Sequence, residues 1–436
     1  MRKKPSEIKD KLMSIIREMS ATPWLFAKEA GKDFSRKRKL PFERLVLLLL
    51  GMGGGSLRSQ LLTSTGYSAD TVSASAFVQQ RSKLLPLALE YILHSFVPKP
   101  GEIKRYKGLR LLATDGSHLH TPTNPHEADS FIQTAPGAKG YNLLHLNALY
   151  DLCNGIYLDA VLQSCQQANE HAALTAMIDR SRLSERALLI ADRGYEAYNN
   201  LAHIERKGWF FLIRVKEAHS NGILRGTSLP DTPVFDVPIH RILTRKQTKE
   251  VKANLDLYKV LPKSSTFDFC DLHENRFYPI TFRAVRFMLP NGSFETVVTN
   301  LPADAFPPRA LLTLYNLRWG IETSFRSLKY AVGMTRFHSK KTECITQEVF
   351  AAMIMYNFAA MITSHAFTPR KTARFVYQVN FSLAVQISRA FLLWRDAHPP
   401  DVEALIRNSA LPIRPGRSFP RNVRYRQAVS FLYRLP

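Results

Sequence analysis

Short, nearly uninterrupted apolar runs in the second quarter of the chain predict strands that are buried on both faces of a sheet. The predicted strands are Leu109–Thr114, Leu143–Asp151, Ile156–Leu162, Ala187–Ile190 and Trp209–Val215. Two segments between them, Glu170–Ser181 and Ala197–Lys207, have the apolar spacing of amphipathic helices. Three strands on short connections, followed by a helix and a further strand, are typical of an α/β protein with helices packed on a sheet.

The segments on either side of this part have different patterns. Residues 1–100 are rich in helix-forming apolar stretches, and we predict helices at Phe42–Leu50 and Ser82–Phe96 with a glycine-rich break between them. Residues 217–300 alternate apolar and polar positions or are rich in β-branched residues, which predicts a β-rich insertion. The strand-like segments of the insertion are Lys249–Val260, Tyr278–Phe287 and Ser293–Thr299.

Helical patterns return after residue 300. A single amphipathic helix is predicted over Pro307–Gly333. The apolar run Val349–Ile362 is too short to span a bilayer and predicts a buried helix. The chain thus divides into a helical region, the first part of an α/β core, the insertion, the second part of the core, and a helical, basic C-terminal region. We place these parts at 1–100, 101–216, 217–300, 301–365 and 366–436.

Four polar side chains border the apolar face of the predicted helix Pro307–Gly333. They belong to Tyr315, Arg318, Glu322 and Lys329. On a straight helix that turns about 100° per residue, they lie within about 60° of one another. A solvated face lies opposite the core, whereas this stripe lies beside it. One carboxylate flanked by a guanidinium, an ammonium and a phenol suits a metal ion held against a phosphodiester. An amphipathic helix with an internal Arg–Glu–Lys ladder has the same pattern.

Two aspartates follow predicted buried strands. Asp115 begins an Asp-Gly-Ser sequence after the first strand, and Asp192 begins Asp-Arg-Gly-Tyr after the fourth. The carboxyl end of a strand is a common place for a catalytic or ligand-binding group in an α/β sheet, although both sequences are also ordinary turns. Together with Glu322, the two aspartates would supply oxygen ligands for two divalent metal ions.

The order of these acidic residues resembles a known family. Asp115, Asp192 and Glu322 are similar to the catalytic residues of the DDE transposases of the insertion-sequence-four family. The spacing Tyr-x2-Arg-x3-Glu-x6-Lys around the glutamate matches the Y-R-E-K signature of that family without a gap. The segments ATDGSHL and IADRGY match the surroundings of its two aspartates, and the resemblance extends from about residue 20 to about residue 365.

The resemblance implies an RNase H-like catalytic core and a DNA transposase. Such an enzyme binds the terminal inverted repeats of its element, cuts there by a cut-and-paste route through a DNA hairpin, and joins the ends to target DNA. The resemblance implies that Asp115, Asp192 and Glu322 are catalytic and hold two Mg²⁺ or Mn²⁺ ions. Its partner would be double-stranded DNA, bound by a homodimer in which each protomer acts on one end.

The resemblance also assigns DNA contacts. It implies that Tyr315, Arg318 and Lys329 grip phosphates at the transposon end. In the family the insertion helps to hold a flipped base, often on a tryptophan, but none of the four tryptophans of this chain lies within residues 217–300. An aromatic residue of the insertion would have to replace it, and we assign none. The candidates are Phe267, Phe269, Phe277 and Tyr278.

The net charge of +24 strengthens the expectation of a polyanionic partner. Basic residues are concentrated at Ser35–Lys39 and in the tail Ala404–Pro436, which has seven arginines and no acidic residue. Ser73–Lys83 suits a recognition helix of an N-terminal DNA-binding unit, although a helical cap on the core fits the same pattern.

Further basic residues lie close to the proposed catalytic residues in the sequence. Arg193 follows Asp192 directly and suits a phosphate contact or an ion pair with a neighbouring acid. Three more, Arg336, Lys340 and Lys341, follow the signature helix and would extend a basic path for DNA or form a solvated loop. His118 and His120 lie near Asp115, but Mg²⁺ prefers oxygen ligands, so we expect them to be structural.

The remaining features indicate a cytoplasmic protein and not a membrane protein, and the resemblance implies a prokaryotic host in which the protein associates with the nucleoid. The four cysteines are scattered without a Cys-x-x-Cys pair, and the first 20 residues are too charged for a signal peptide. Two other functions fit the same chain. One is a transposase-derived DNA-binding protein without catalysis, although an idle acidic triad would only repel DNA. The other is a metal-dependent nuclease without strand transfer.

Overall fold

A computed structural model describes residues 5–36, 38–98, 100–133, 135–217, 220–271, 276–367, 376–394 and 398–413. Its α-helices are α1 Pro5–Ala21, α2 Phe42–Gly51, α3 Leu57–Ser64, α4 Ala74–Arg81, α5 Leu87–Ser95, α6 Glu170–Arg180, α7 Tyr198–Arg206, α8 Lys249–Ala253, α9 Pro308–Asn316, α10 Trp319–Ser327, α11 Thr342–Ala366, α12 Phe381–Leu393 and α13 Val402–Asn408. Its strands are β1 Arg110–Thr121, β2 Phe131–Ile132, β3 Tyr141–Asp151, β4 Ile156–Ser164, β5 Ala187–Ala191, β6 Phe210–Val215, β7 Phe235–Thr244, β8 Tyr258–Val260, β9 Phe277–Met288, β10 Phe294–Thr299, β11 Tyr377–Gln378 and β12 Leu411–Pro412.

Five strands of the α/β part form one mixed sheet in the order β4-β3-β1-β5-β6. Strand β3 is antiparallel to β1 and β4, whereas β1, β5 and β6 are parallel. This order and these directions are those of an RNase H-like core, and the predicted fold class is confirmed. All five residues of β5 are buried, as expected for a central strand that is covered on both faces.

The insertion continues the same sheet. Strand β10 pairs antiparallel with β6, and β9, β7 and β8 follow outward from it. The predicted strand over Lys249–Val260 is wrong for most of its length. Thr248 accepts a hydrogen bond from Val251 N and caps the short helix α8, so that only Tyr258–Val260 is a strand.

Helices cover both faces of the core. Helices α6 and α7 pack on one face, and α5, α10 and α11 pack on the other together with the N-terminal helices. Among the described residues, α11 is the one helix that is long and apolar enough to cross a bilayer. Because 72% of its apolar stretch is buried inside the protein, it is placed as a core helix, as predicted for Val349–Ile362.

The N-terminal region is helical, as predicted, but the second predicted helix starts later than expected. Helix α5 begins at Leu87, not at Ser82, because Pro86 lacks an N–H and cannot lie inside a helix. The recognition-helix candidate forms as α4, whose first turn is capped by Ser73. Lys37 of the basic cluster lies outside the described residues.

A buried ion pair joins this region to α11. Arg81, which is 2% exposed, lies 2.9 Å from Glu348 Oε1, and His338 N donates to the same carboxylate at 3.1 Å. Burial alone would raise the pKa of Glu348, but Arg81 and His338 outweigh it and lower the pKa to about 2. A charged pair therefore holds the N-terminal helices against the core.

The signature segment is not the single straight helix that the sequence predicted. Between α9 and α10 the chain tightens, with hydrogen bonds from Leu317 N to Leu314 O and from Arg318 N to Tyr315 O, both of 3.0 Å. Gly320 lies in this tight turn, where an added Cβ would be 2.9 Å from Leu152. Beyond α10 a wide π-type turn covers Leu328–Val332.

The C-terminal region is helical in α12 and α13, and β11 pairs with β12. Most of the arginine-rich tail, residues 414–436, lies outside the described residues.

Candidate active site

The two aspartates are neighbours, with Asp115 inside β1 and Asp192 directly after the adjacent strand β5. The parallel register of β1 and β5 ends with Ala113 opposite Ile190, and Asp115 and Asp192 are each two residues farther along. The prediction that Asp115 ends its strand is wrong, because β1 continues to Thr121 through its pairing with β3, where Asp115 is opposite Ala148. Asp192 does follow the end of β5.

Arg318 brings Asp115 and Glu322 together. Its Nη2 donates to Glu322 Oε1 at 2.7 Å, and its Nη1 lies 3.7 Å from Asp115 Oδ2. Arg318 is 7% exposed and lies against the rings of Tyr315 and Trp319. The tight turn at the start of α10 thus directs one buried guanidinium at two acidic residues that are far apart in the sequence.

The environment of Asp115 disfavours the ionised form of its carboxyl group. The pKa of Asp115 is raised to about 6, mainly by burial and in smaller part by the charges of Asp192 and Glu322, whereas the Gly116 N–H and Arg318 act in the opposite direction. A cation beside these three carboxylates would relieve this cost. Hard carboxylate oxygens are the ligands that Mg²⁺ and Mn²⁺ prefer, so the side chains present fit a divalent metal.

Lys329 and Tyr315 take different positions around this acidic group. Lys329 Nζ donates to Ser117 Oγ at 2.7 Å and to the His118 carbonyl at 2.9 Å, so that it lies against β1 just beyond Asp115. Burial lowers the pKa of Lys329 and raises that of Tyr315. Tyr315 is 5% exposed and lies behind Arg318, not at the surface.

An open cleft of about 1340 Å³ runs past these residues. Asp115, Glu322 and Lys329 line it, and so do Arg326 and Tyr330, which the sequence did not single out. The C-terminal region supplies one wall. Its lining residues are Val379, Asn380, Phe381, Ser382 and Leu411. No motif in the sequence connects that region with the acidic residues, so this wall was not foreseen.

The other predicted contact residues do not line this cleft. Arg193 is exposed in the turn after Asp192, and Lys340 and Lys341 are exposed near the β1–β2 connection, where Asn124 donates to the Lys340 carbonyl. Arg336 lines a separate, small cavity of about 30 Å³.

The histidines near Asp115 pair with other rings. His118 Nδ1 lies 3.3 Å from His145 Nδ1, and the His120 ring lies 5.6 Å from that of Tyr141. His145 is itself 3.0 Å from Glu170, a residue that the sequence analysis did not single out.

Among the described residues, the group with the spacing of a metal site is not that of Asp115, Asp192 and Glu322 but a separate one. Possible ligand atoms of Glu90, His94 and Asp159 lie within 4.8 Å of one another. Arg180 lies 2.9 Å from Glu90 and 2.6 Å from Asp159, so this group already has a cation between its carboxylates. It is therefore an ion-pair cluster that joins α5, β4 and α6.

Residues 106–358 match the model of the transposase DDE domain. The chain belongs to the DDE transposase family. The transposase domain spans β1 to most of α11 and contains all three acidic residues. As a member of this family the protein is a DNA-cleaving transposase that binds DNA, and the family implies the use of divalent metal ions.

The transposase is similar along most of its length to transposase InsG of the insertion sequence element IS4 from Escherichia coli strain K12. The two are 23% identical over 424 residues, which cover 91% of this chain and 88% of the relative. The predicted resemblance to the insertion-sequence-four transposases is thereby confirmed. A cryo-EM structure of the piggyBac transposase synaptic complex with hairpin DNA is also similar, at 11% identity and a TM-score of 0.43, over 95% of this chain and 87% of that one.

Proposed function

We propose that this transposase recognises the terminal inverted repeats of its own element, cuts both strands there by a cut-and-paste route through a DNA hairpin, and joins the freed ends to target DNA. The catalytic residues in this proposal are Asp115, Asp192 and Glu322. The observation that supports it best is the arrangement around Arg318, which lies between Asp115 and Glu322 beside an open cleft. Asp192 adds its charge next to Asp115.

Asp115, Asp192 and Glu322 would hold two Mg²⁺ or Mn²⁺ ions, whose chemistry is to activate a water or a 3′-hydroxyl for in-line attack at phosphorus and to stabilise the leaving oxygen. The Gly116 N–H donates to Asp115 Oδ1 at 2.8 Å, and the Gly194 N–H donates to Asp192 Oδ1 at 2.8 Å. These two bonds orient the aspartates, so that the second oxygens, Oδ2, would be the metal ligands once the metal displaces Arg318 from Asp115.

Arg318 and Lys329 would bind phosphate groups of the transposon end. Without metal, Arg318 forms ion pairs with Glu322 and Asp115. Metal ions on those carboxylates would displace the guanidinium, which could then bind a phosphate oxygen. Lys329 projects into the cleft from the wide turn after α10. Tyr315 is buried behind Arg318, so in this proposal it supports the guanidinium more than it touches DNA.

Further residues would contact the same DNA. The exposed residues Arg193, Arg336, Lys340 and Lys341 would extend the basic surface along the duplex. Helix α4, with Ser73 at its start, would serve the N-terminal DNA-binding unit. We propose a homodimer on paired ends, acting in the cytoplasm of a prokaryotic host.

The test is a cleavage assay on a duplex that carries the DNA flanking the gene, with Mg²⁺ or Mn²⁺. The wild type is compared with three variants, Asp115→Ala, Asp192→Ala and Glu322→Ala. We expect hairpin or blunt-ended products from the wild type, none from the variants, and similar affinity of all four proteins for the duplex. Normal cleavage by Glu322→Ala would contradict the assignment of the catalytic residues.

The same assay separates the alternatives. Addition of a target plasmid gives joined products if the protein is a complete transposase, and cut ends without joined products if it is a nuclease. Salt-dependent binding of the duplex without any cleavage would mean that this chain binds DNA but does not catalyse.

A further inference from the structure

A fourth carboxylate lies beside the two aspartates. Glu170, the first residue of α6, places its two oxygens near the two glycines that follow Asp115 and Asp192 in the chain. A close approach at Gly116, which makes room for the carboxylate, and an ordinary contact at Gly194 reveal this arrangement.

At Gly116 the approach is very close. A Cβ at this position would lie 2.5 Å from His145 Nε2 and 2.6 Å from Glu170 Oε1, which is closer than side chains tolerate. The N–H of Gly116 is also the donor to Asp115 Oδ1. Glu170 and His145 therefore pack directly against the peptide that orients Asp115.

At Gly194 the other oxygen of Glu170, Oε2, is the neighbouring atom. A Cβ there would lie 3.0 Å from Asp192 Oδ1 and 3.5 Å from Glu170 Oε2, so the two carboxylates are neighbours on one side of this residue. The N–H of Gly194 donates to Asp192 Oδ1 at 2.8 Å. The Glu170 carboxylate thus lies between the Gly116 peptide, which orients Asp115, and the Gly194 peptide, which orients Asp192.

Glu170 is held in this position from two sides. His145, which is 5% exposed, lies 3.0 Å from Glu170 Oε1 and is backed by His118, whose Nδ1 lies 3.3 Å from His145 Nδ1. The helix that carries Glu170 is fixed at its first turn, where Asn169 accepts a hydrogen bond from Ala172 N. The close contact with His145 lowers the pKa of Glu170, so the carboxylate is charged at neutral pH.

We propose that Glu170, oriented by His145, is a positioning residue of the metal centre. It sets the separation and the orientation of Asp115 and Asp192, and its charge adds to the negative potential at Asp192. This inference rests on the proposed function only in that Asp115 and Asp192 bind the metal. The substitution of groups that orient metal ligands typically lowers metal affinity by about 10–100-fold.

The test compares the wild type with Glu170→Gln, which keeps the shape of the side chain and removes its charge. Binding of Mn²⁺ is measured by electron paramagnetic resonance without DNA, and cleavage of the end duplex is measured over a range of metal concentrations. We expect the dissociation constant for Mn²⁺, and the metal concentration for half-maximal cleavage, to rise by about 10–100-fold. Affinity for the duplex should not change, and high Mn²⁺ should restore most of the cleavage rate.

Two further variants and one control complete the experiment. His145→Phe keeps a ring but cannot hold Glu170, and Gly116→Ala pushes against both partners; each should weaken Mn²⁺ binding in the same way. Glu343→Gln is the matched control, because Glu343 also lies in the first turn of a helix, is 33% exposed against 39% for Glu170, and has one ion pair, with Lys28. It should leave Mn²⁺ binding unchanged.

The outcomes distinguish this inference from the function on which it rests. If Asp115→Asn abolishes Mn²⁺ binding but Glu170→Gln binds as the wild type does, the role of Glu170 is wrong and the metal centre stands. A Glu170→Gln variant that melts earlier and cleaves less at every metal concentration, with unchanged Mn²⁺ affinity, has lost only stability and also overturns the inference. Failure of the wild type to bind Mn²⁺ would overturn both proposals.

Discussion

Arg318 Nη2 donates a hydrogen bond of 2.7 Å to Glu322 Oε1 across one turn at the start of α10. The contact uses a carboxylate oxygen that a metal ion at this residue would need. The same guanidinium lies 3.7 Å from Asp115 Oδ2. In the proposed function, Arg318 and a divalent metal therefore compete for the same acidic group, and Arg318 offsets part of its negative charge when no metal is bound.

The first prediction follows from this competition. Arg318→Ala should bind Mn²⁺ at least as tightly as the wild type, because the competing cation is gone. It should nevertheless cleave the transposon end at least about 100-fold more slowly, since a charge-assisted contact to the phosphate is lost in the transition state. Electron paramagnetic resonance gives the Mn²⁺ affinity, and single-turnover cleavage gives the rate.

Arg318→Lys is the control for this variant. It keeps one positive charge but cannot contact two carboxylates with one planar group, so its cleavage rate should lie between those of the wild type and Arg318→Ala. Cleavage by Arg318→Ala at the wild-type rate would show that the guanidinium does not act on the phosphate.

The second prediction concerns Asp115 and the stability of the protein without metal. Its pKa is raised from 3.8 to about 6 in the folded protein, so the ionised carboxylate destabilises the fold as the pH rises from about 4 to about 6. In EDTA, Asp115→Asn should therefore become more stable than the wild type over this range, by about 3 kcal/mol. Above pH 6 the difference should stay constant.

Thermal unfolding in EDTA at several pH values measures this difference, and added Mn²⁺ provides the control. Mn²⁺ should raise the melting temperature of the wild type but not that of Asp115→Asn. Equal melting temperatures of both proteins at pH 8 in EDTA would contradict the raised pKa.

The third prediction concerns the charge of Lys329. Lys329→Met keeps most of the apolar stem that packs beside β1 but removes the ammonium group. If this group binds one phosphate, the slope of log affinity against log salt should become shallower by about 1, and affinity at low salt should fall. Fluorescence anisotropy with the end duplex measures both, and Lys329→Arg should retain the wild-type slope. An unchanged slope in Lys329→Met would assign Lys329 to the structure of β1, where it binds Ser117 and His118.

The fourth prediction concerns the ion pair between Arg81 and Glu348. Glu348→Gln leaves a guanidinium that is 2% exposed without its charged partner, which should lower the free energy of unfolding by about 3–5 kcal/mol. Because the folded pKa of Glu348 is lowered from 4.5 to about 2, the wild type should also lose stability as the pH falls between these values. Glu348→Gln should not show that loss.

Urea unfolding between pH 2 and pH 7 measures both effects. The paired variant Arg81→Met with Glu348→Leu is the control and should be more stable than Glu348→Gln, because it leaves no charge buried alone. A Glu348→Gln variant as stable as the wild type would mean that the pair adds nothing to the attachment of the N-terminal helices.

Most core strands could be predicted from the sequence, because a strand covered on both faces must be apolar throughout, as β5 is. The length of β1 could not, since from Asp115 onward it contains Gly116 and several polar residues that only the pairing with β3 keeps in a strand. The break between α9 and α10 was missed for a similar reason. The apolar spacing of the sequence continues through the break and predicts one helix. The close packing of Leu152 on Gly320 at the break is a tertiary contact, which the local sequence pattern does not show.

The candidate site was only partly visible in the sequence. Asp115, Asp192 and Glu322 were found because they have recognisable neighbours in the chain. Glu170 and His145 have none, and their position depends on how α6 and β3 pack beside the ends of β1 and β5. The wall of the cleft from Asn380 to Ser382 depends likewise on a packing contact that no local pattern encodes.

The continuity of the sheet from β5 through β6 to β10 limits how the insertion can move. Four consecutive residue pairs join β6 to β10, and β5, which leads directly into Asp192, is the next strand. A hinge between the insertion and the core would have to break these backbone hydrogen bonds. If the insertion contacts a DNA end, as the family resemblance implies, that contact would therefore lie at a fixed distance from Asp192, and adjustment to different end sequences would come from the DNA.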